Sequence, residues 1–394
     1  MNDKNRILST VSLYHAFSDG AIVVIPLLFP IFKVLFDLSY TQIGIITGGG
    51  LLITYIAELS IGRLSDSYNF RNLLSTGIIL TSASLLLFIQ TKGFLLLLLF
   101  YFIIRFSSSF FHQVGIGWIS RTFKKDRLDW SMGVQSALGN LGAFIAILST
   151  PFLAEITDWE VLFYIWSGIG IAVLLLGLFL TRNINKEYTV VEKKDNKKQT
   201  LKEAVSEAFG IFKRIKLLIP AFIVSGATWG IIINFLPLLL DAKTSLSLPM
   251  IGVVVSVWIG IGVITCLLYE KIQLLLGRRN TLLFSYLTIG FACLALCVFT
   301  NIAIILLLMV FLGLSTFVTF PALFSYVSET IHKTAEGKSF GYILTTELAG
   351  ATILLFLSGW FSDIWGIWMP FAILGGFSLL VGFLLIGNRK KDVV

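Results

Sequence analysis

A chain of 394 residues that is 56% hydrophobic and only 13% charged is excluded from the soluble globular proteins, where about a quarter of residues carry charge. Roughly 20 consecutive apolar residues cross the hydrocarbon core as a helix, so the length leaves space for about a dozen spans and none for a large soluble domain. The formal net charge of +8 therefore has to be read from where the basic residues fall among the spans.

Polar clusters divide the chain into twelve predicted spans: 9–36, 41–62, 72–90, 93–119, 131–154, 160–181, 217–240, 249–269, 280–299, 302–328, 339–360 and 367–387. The first run is too long for a signal-peptide core and lacks a small-residue cleavage site, so it reads as a retained helix. Within it, SLYHAFSDGAIVVIPLLFP (Ser12 to Pro30) carries His15 and Asp19, which four residues apart share one helical face. A charge at a helix centre costs about 2.5–3.5 kcal/mol on insertion scales, which drives it toward a cavity and a partner. Asp19 lies about 15 Å from a start near Ser9 at the helical rise per residue.

Span four carries Arg105 and, seven residues on, His112 on nearly the same face. Arg105 lies about 18 Å from the opposite end of its span by the same rise, so the two depths roughly agree, and the family resemblance set out below, which puts spans one and four on one cavity, implies that Asp19 could pair with Arg105 across it. The rival reading is a static ion pair that only fixes helix packing. Span five offers Gln135 and the small-residue run Gly139 to Gly142; span seven offers Trp229 and Asn234; span eleven carries Glu347, a deeply placed carboxylate. Cys266, Cys293 and Cys297 have no CxxC spacing and no histidine companions, and read as small packing residues.

With both termini cytoplasmic, all but four of the 30 basic residues fall in cytoplasmic segments, which is the asymmetry that sets membrane orientation. The charge thus reflects topology, not nucleic-acid binding. The longest polar stretch separates six spans from six, giving an N-terminal bundle over 1–182, a cytoplasmic linker over 183–216 and a C-terminal bundle over 217–394. From Leu201 the linker has apolar residues at helical spacing beside Lys and Glu, fitting either a helix lying on the membrane surface or a solvated connection.

An offset of 208 residues superimposes the halves: SMGVQSALGNLGA from Ser131 falls on SFGYILTTELAGA from Ser339, Ile43-Gly44 falls on Ile251-Gly252, Glu155 falls on Asp363, and Glu347 replaces Gly139. The first span ends PLLFP and the seventh PLLLD. Six plus six spans in one orientation imply bundles related by an axis along the membrane normal, the arrangement of transporters with a midplane substrate site.

On these residues the chain resembles the major facilitator superfamily over essentially its whole length. The stretch GRLSDSYNFRN, Gly62 to Asn72, is similar to that family's signature loop at Gly62, Asp66 and Arg71; Ser67, Asn69 and Phe70 depart from it. Asn69 is expected to supply the left-handed backbone of the missing glycine. The resemblance implies a role for Asp66 and Arg71 in setting the conformational equilibrium; the bland alternative is a charged turn. In the second half, CLLYEKIQLLLGRRN offers Glu270 and Arg278 as a partial counterpart. His15 and Asp19 together with Phe111, His112 and Gln113 resemble the fosmidomycin-resistance branch of drug exporters, in which a proline usually stands where Gln113 is.

The resemblance implies an all-α membrane protein of twelve transmembrane helices in two six-helix bundles, with spans one, four, seven and ten lining a cavity. The function expected is secondary transport by alternating access, as proton-coupled export of a small amphipathic or anionic compound. Asp19, His15, Arg105 and Glu347 are the expected coupling residues, and His112, Gln135, Asn234 and Trp229 the expected cavity residues. Proton-coupled uptake or facilitated diffusion is the alternative, and a non-transporting receptor or scaffold the reading from another class. There is no HExxH and no GxxxxGK[ST] loop, so neither an enzyme nor a bound metal or cofactor is expected. The partners are a small molecule, protons and the bilayer, and the protein is expected as a multi-pass monomer in the cell membrane.

Overall fold

The computed structural model describes residues 2–65, 68–189, 218–330 and 336–387. Its order is α1 Asp3–Leu27, α2 Phe29–Leu35, α3 Tyr40–Ser65, α4 Phe70–Phe88, α5 Phe94–Thr122, α6 Lys125–Ile156 and α7 Trp159–Leu180, then a single 3-10 turn Lys186–Tyr188. The second half follows with α8 Ile219–Lys243, α9 Leu248–Leu276, α10 Arg278–Val298, α11 Ile302–Thr330, α12 Glu336–Trp365 and α13 Met369–Gly387. The described residues contain no strand, and 12 helices are long and apolar enough to cross a membrane.

The element boundaries follow local chemistry. Asn2 accepts a hydrogen bond from the Asn5 N–H at 2.9 Å and Asp3 sits in the first turn, so capping and dipole complementarity extend α1 beyond its apolar run. The predicted first span is in fact two helices. Pro26 and Pro30 flank Leu28, where the chain leaves α1 and re-enters α2, because a proline lacks the N–H that would continue the ladder. Asn69 is extended (φ −68°) and its side chain accepts from the Asn72 N–H. It is therefore the N-cap of α4, not a left-handed residue. α9 runs on to Leu276 and stops at Gly277, whose φ of +73° suits glycine.

The chain forms two compact units, one of Met1–Leu38, Gly49–Asp195 and Leu246–Val253, the other of Ser39–Gly48, Asn196–Ser245 and Val254–Val394. Each unit thus takes one helix start from the other half of the sequence. In the first unit α1 is the central helix, with 72% of its spanning window buried against 33% for α7. In the second unit α8 holds that place, 78% buried against 39% for α13. Close helix approach is made by glycine: a Cβ at Gly142 of α6 would be driven into the Ala16 carbonyl of α1, and Gly290 of α10 faces Gly375 of α13 with each virtual Cβ 3.0–3.1 Å from the other's carbonyl. Such packing replaces the hydrophobic drive that hydrocarbon cannot supply.

The repeat seen in the sequence recurs as contacts. In the second unit Gly44 lies against the Leu355 carbonyl and Gly359, both at 3.0 Å from a virtual Cβ; in the first, Gly252 lies against the Ile147 carbonyl at 3.0 Å and Pro151 at 2.7 Å. Asp363 also accepts from the Tyr40 and Thr41 N–H groups at 2.8 and 2.7 Å, satisfying donors that the start of α3 cannot pair internally. The first residues after α7 are docked, not free: the Trp118 indole donates to the Tyr188 carbonyl at 2.7 Å, the Phe70 N–H to the Thr189 carbonyl at 3.1 Å and the Asn185 N–H to Asp3 at 3.2 Å. The helix anticipated from Leu201 lies outside the described residues.

A Gly142→Ala variant is expected to lose about 1–3 kcal/mol through overpacking against backbone that cannot yield. Gly133→Ala, whose added methyl meets nothing within 4 Å outside its own stretch of helix, is expected to lose no stability. Thermal unfolding of the two purified variants checks the contrast.

Candidate functional site

The first unit gathers its ionisable side chains where α1 meets α5 and α6. His15 and Asp19 do share one face of α1, and Nε2 of His15 stands 3.0 Å from Asp19 Oδ2. The other ring nitrogen, Nδ1, is 2.9 Å from the Gln135 main-chain carbonyl. A carbonyl only accepts, so Nδ1 carries a hydrogen, and a proton must then sit between Nε2 and Oδ2 for that contact to attract. Remove it and two lone pairs face each other. The side chain of Gln135 bonds Ser136 instead, with Oε1 buried and unpartnered.

Room for the imidazole is made by Gly139, where a Cβ would lie 2.6 Å from His15 Cε1. Phe111 stacks on the ring with centroids 4.2 Å apart at 19°. His112 stands edge-on to His15 at 5.6 Å and brings its Nε2 to 3.9 Å from Asp19 Oδ1. His112 keeps 38% of its side chain accessible and Asp19 22%, against 9% for His15. One carboxylate is therefore shared by two imidazoles, one enclosed and one open.

The expected Asp19–Arg105 pair is not formed. Asp19 has its ion pairs with the two histidines, and Arg105 acts on it only from beyond ion-pair distance. Gly50 of α3 makes space for the Arg105 stem, and its Nε is buried with no hydrogen-bond partner. Matching depth was a fair inference from the rise per residue, but α1 begins at Asp3, and depth says nothing of the direction in which each helix turns its side chains. What the depth argument missed was that His112, one turn and more beyond Arg105, occupies the place given to the arginine.

In the second unit Glu347 is buried at 4% exposure, its Oε2 has no partner, and it packs over Gly226. Trp229 meets Trp258 at 5.0 Å and Phe317 at 6.1 Å. Asn234 donates to the Gly230 carbonyl at 2.7 Å and leaves its buried Oδ1 unpartnered. Cys293 is buried, while Cys266 is exposed on α9.

Of the loop residues, Gly62 is helical within α3 and Asp66 lies outside the described residues. Arg71 donates to Thr181 Oγ1 at 2.9 Å and to the Leu178 carbonyl at 3.2 Å. The repeat partner of Arg71 is Arg279, not Arg278, and Arg279 donates to the Leu385 carbonyl at 2.6 Å. Each arginine thus closes the C-terminal carbonyls of the last helix of its half, where a cation complements the helix dipole. The 208-residue offset pairs Arg71 with Arg279 and was the overlooked signal. Glu270 is an exposed residue inside α9, because the helix continues past it to Gly277, and Arg278 opens α10.

The sequence matches the family described as Major Facilitator Superfamily over residues 11–347 and again over 272–393. No curated protein matches it in sequence. The fold is similar to a crystal structure of a mutant of nucleoside transporter NupG, with a TM-score of 0.83, 14% identity, and coverage of 99% of this chain and 100% of that one. It is also similar to a POT family transporter in complex with 5-aminolevulinic acid, with a TM-score of 0.78, 13% identity, and coverage of 97% and 95%. A bacterial homolog of the human lysosomal transporter Spinster gives a TM-score of 0.74 at 15% identity, covering 98% and 95%.

Because His15 is held by the Gln135 main chain and by the space at Gly139, Gln135→Ala is expected to leave its titration in place while Gly139→Ala displaces the ring and moves it. Nuclear magnetic resonance of isotope-labelled histidine in lipid nanodiscs reads both variants against the wild type.

Proposed function

The chain belongs to the Major Facilitator Superfamily and is a membrane transporter, not an enzyme; from that premise we propose that it exports a small amphipathic or anionic compound in exchange for protons. The observation that carries the proposal is the single Asp19 carboxylate shared by His15 and His112. One proton between Nε2 and Oδ2 changes the net charge that the His15–Asp19 pair of α1 presents to His112 of α5, 3.9 Å from Asp19 Oδ1, so its arrival or loss changes the force between the two helices. A carrier working by alternating access needs such a link between protonation and helix position. The more open His112 is the route by which the proton reaches the enclosed pair.

Arg105 supports the anionic part of the reading. Among the described residues its guanidinium has no carboxylate partner within ion-pair distance, and a planar cation in a low-dielectric setting favours a carboxylate or phosphate. Asn234, with a free Oδ1, and Trp229, with its aromatic neighbours, are proposed substrate contacts within the second unit, and Gln135, with its free Oε1, is one within the first. The export direction leans on the likeness of spans one and four to the fosmidomycin-resistance branch. The proposed setting is the cell membrane, with the chain acting as a monomer.

Proton-coupled uptake is the second reading, and one observation favours it. Many antiporters have a Gly-Pro pair in span five, whereas here Asn140 follows Gly139 and Gly139 serves to seat His15.

A panel of toxic compounds tested on expressing cells identifies a transported compound by altered resistance. In proteoliposomes loaded with a pH-sensitive dye, that compound leaving the lumen is expected to draw protons in, and Asp19→Asn is expected to reduce this flux at least tenfold with unfolding temperature retained. Undiminished flux in Asp19→Asn would sink the coupling assignment, and protons travelling with the compound would establish uptake.

A further inference from the structure

The two halves build the same contacts with the residue types exchanged. In the first unit Tyr14 of α1 bonds Ser75 of α4 at 3.4 Å; in the second, Ser225 of α8 bonds Tyr286 of α10 at 2.9 Å; the partners are 61 residues apart in both. The register that sets Pro26 on Pro237 sets Tyr14 on Ser225, Ser75 on Tyr286 and His15 on Gly226. The 208-residue register sets Gly139 on Glu347. In space the exchange is repeated: His15 of α1 fills the room left by Gly139 of α6, and Glu347 of α12 fills the room left by Gly226 of α8, where a Cβ would meet Glu347 Cγ at 2.7 Å. Each unit thus presents one titratable side chain at the same helix crossing, contributed by opposite helices.

The two groups differ in how they are satisfied. His15 has the Gln135 carbonyl and Asp19. Glu347 is 96% enclosed, makes no ion pair among the described residues, and has Oε2 buried without a hydrogen-bond partner. Among the described side chains, the elements packed on it bring it no cation: Arg279 at the start of α10 is on the Leu385 carbonyl and Lys243 at the end of α8 is on the Cys297 carbonyl. α8 has no ionisable side chain before Asp241, α13 has none between Met369 and Ile386, and the start of α3 brings only Tyr40, at the far end beside Asp363. From α10 comes Tyr286, whose hydroxyl is committed to the Ala221 carbonyl at 2.8 Å and to Ser225. An ionised carboxylate in such a place finds no counter-charge among the described residues, and burying it is costly.

We propose that Glu347 is a second proton-binding site, built into the second unit and loaded separately from the His15–Asp19 pair, so that a transport cycle moves two protons. The chemistry is simple protonation: the carboxylate takes a proton from water to become the acid and returns it to water, with no other bond changed. Occupancy of the site stands on the geometry alone, while its consequence for the cycle rests on the proton-coupled reading above.

Infrared titration of the full chain in lipid nanodiscs tests the site without any substrate. At neutral pH the carbonyl stretch of a protonated, unbonded carboxylic acid is expected in wild type and in Asp19→Asn, and absent from Glu347→Gln. In weakly buffered solution with an indicator dye, a pH jump is expected to release one proton fewer per chain from Glu347→Gln than from wild type. Gly226→Ala, which presses on the Glu347 side chain, is expected to shift the band, and this reading serves if the glutamine variant fails to fold. A band and proton count unaltered in folded Glu347→Gln, or a band unmoved in Gly226→Ala, would overturn the proposal. Absence of substrate-driven proton flux in wild type would instead strike only the transport reading.

Discussion

Hydrocarbon supplies no hydrogen-bond partner, so every polar group carried into a span has to be satisfied by the protein itself. The arrangement of this chain follows from that constraint. Arg71 and Arg279 close the carbonyl ends of α7 and α13, and Asp363 closes the amide end of α3. Ser107, Ser108, Thr47 and Thr54 turn their hydroxyls back on the carbonyls of their own helices. Against this background several buried side-chain atoms have no hydrogen-bond partner, among them Arg105 Nε, Gln135 Oε1, Asn234 Oδ1 and Glu347 Oε2. In a lipid-spanning protein such groups are costly unless they work.

Glycine converts the constraint into geometry. At Gly142 it brings the α6 backbone onto α1, at Gly139 it opens a socket for an imidazole, and at Gly226 it opens one for a carboxyl. The last two sockets lie at corresponding points of the repeat, and the bulky partner comes from α1 in one unit and from α12 in the other. The same inversion in the Tyr14–Ser75 and Ser225–Tyr286 bonds argues that what the repeat preserves is the paired volume and the hydrogen bond, not the residue at either position. This freedom allows two duplicated bundles to keep one shape while carrying different chemistry.

Much of the fold was legible from spacing. Ten of the predicted spans end within five residues of the observed helices, because apolar runs bounded by Gly, Pro and charge are local signals. The exceptions were the eighth, whose helix runs on to Leu276, and the first, where Pro26 and Pro30 split an apolar run that composition alone joins. The site was legible in part. That Asp19 needs a partner, and that His15 shares its face, follow from the four-residue interval. That the remaining partner is His112 and not Arg105 does not.

The sequence by itself determined the number of spans, the duplication and the positions of the buried charges along each helix. Only the tertiary structure decided which groups meet: Asp19 with two histidines, Arg71 with the end of α7, and Glu347 with Gly226 and, among the described residues, no cation. The reason is physical. Axial position is the sum of a fixed rise per residue and is readable from counting. Contact between helices depends on their relative rotation and separation, which are set by where small residues on one helix let the backbone of another approach.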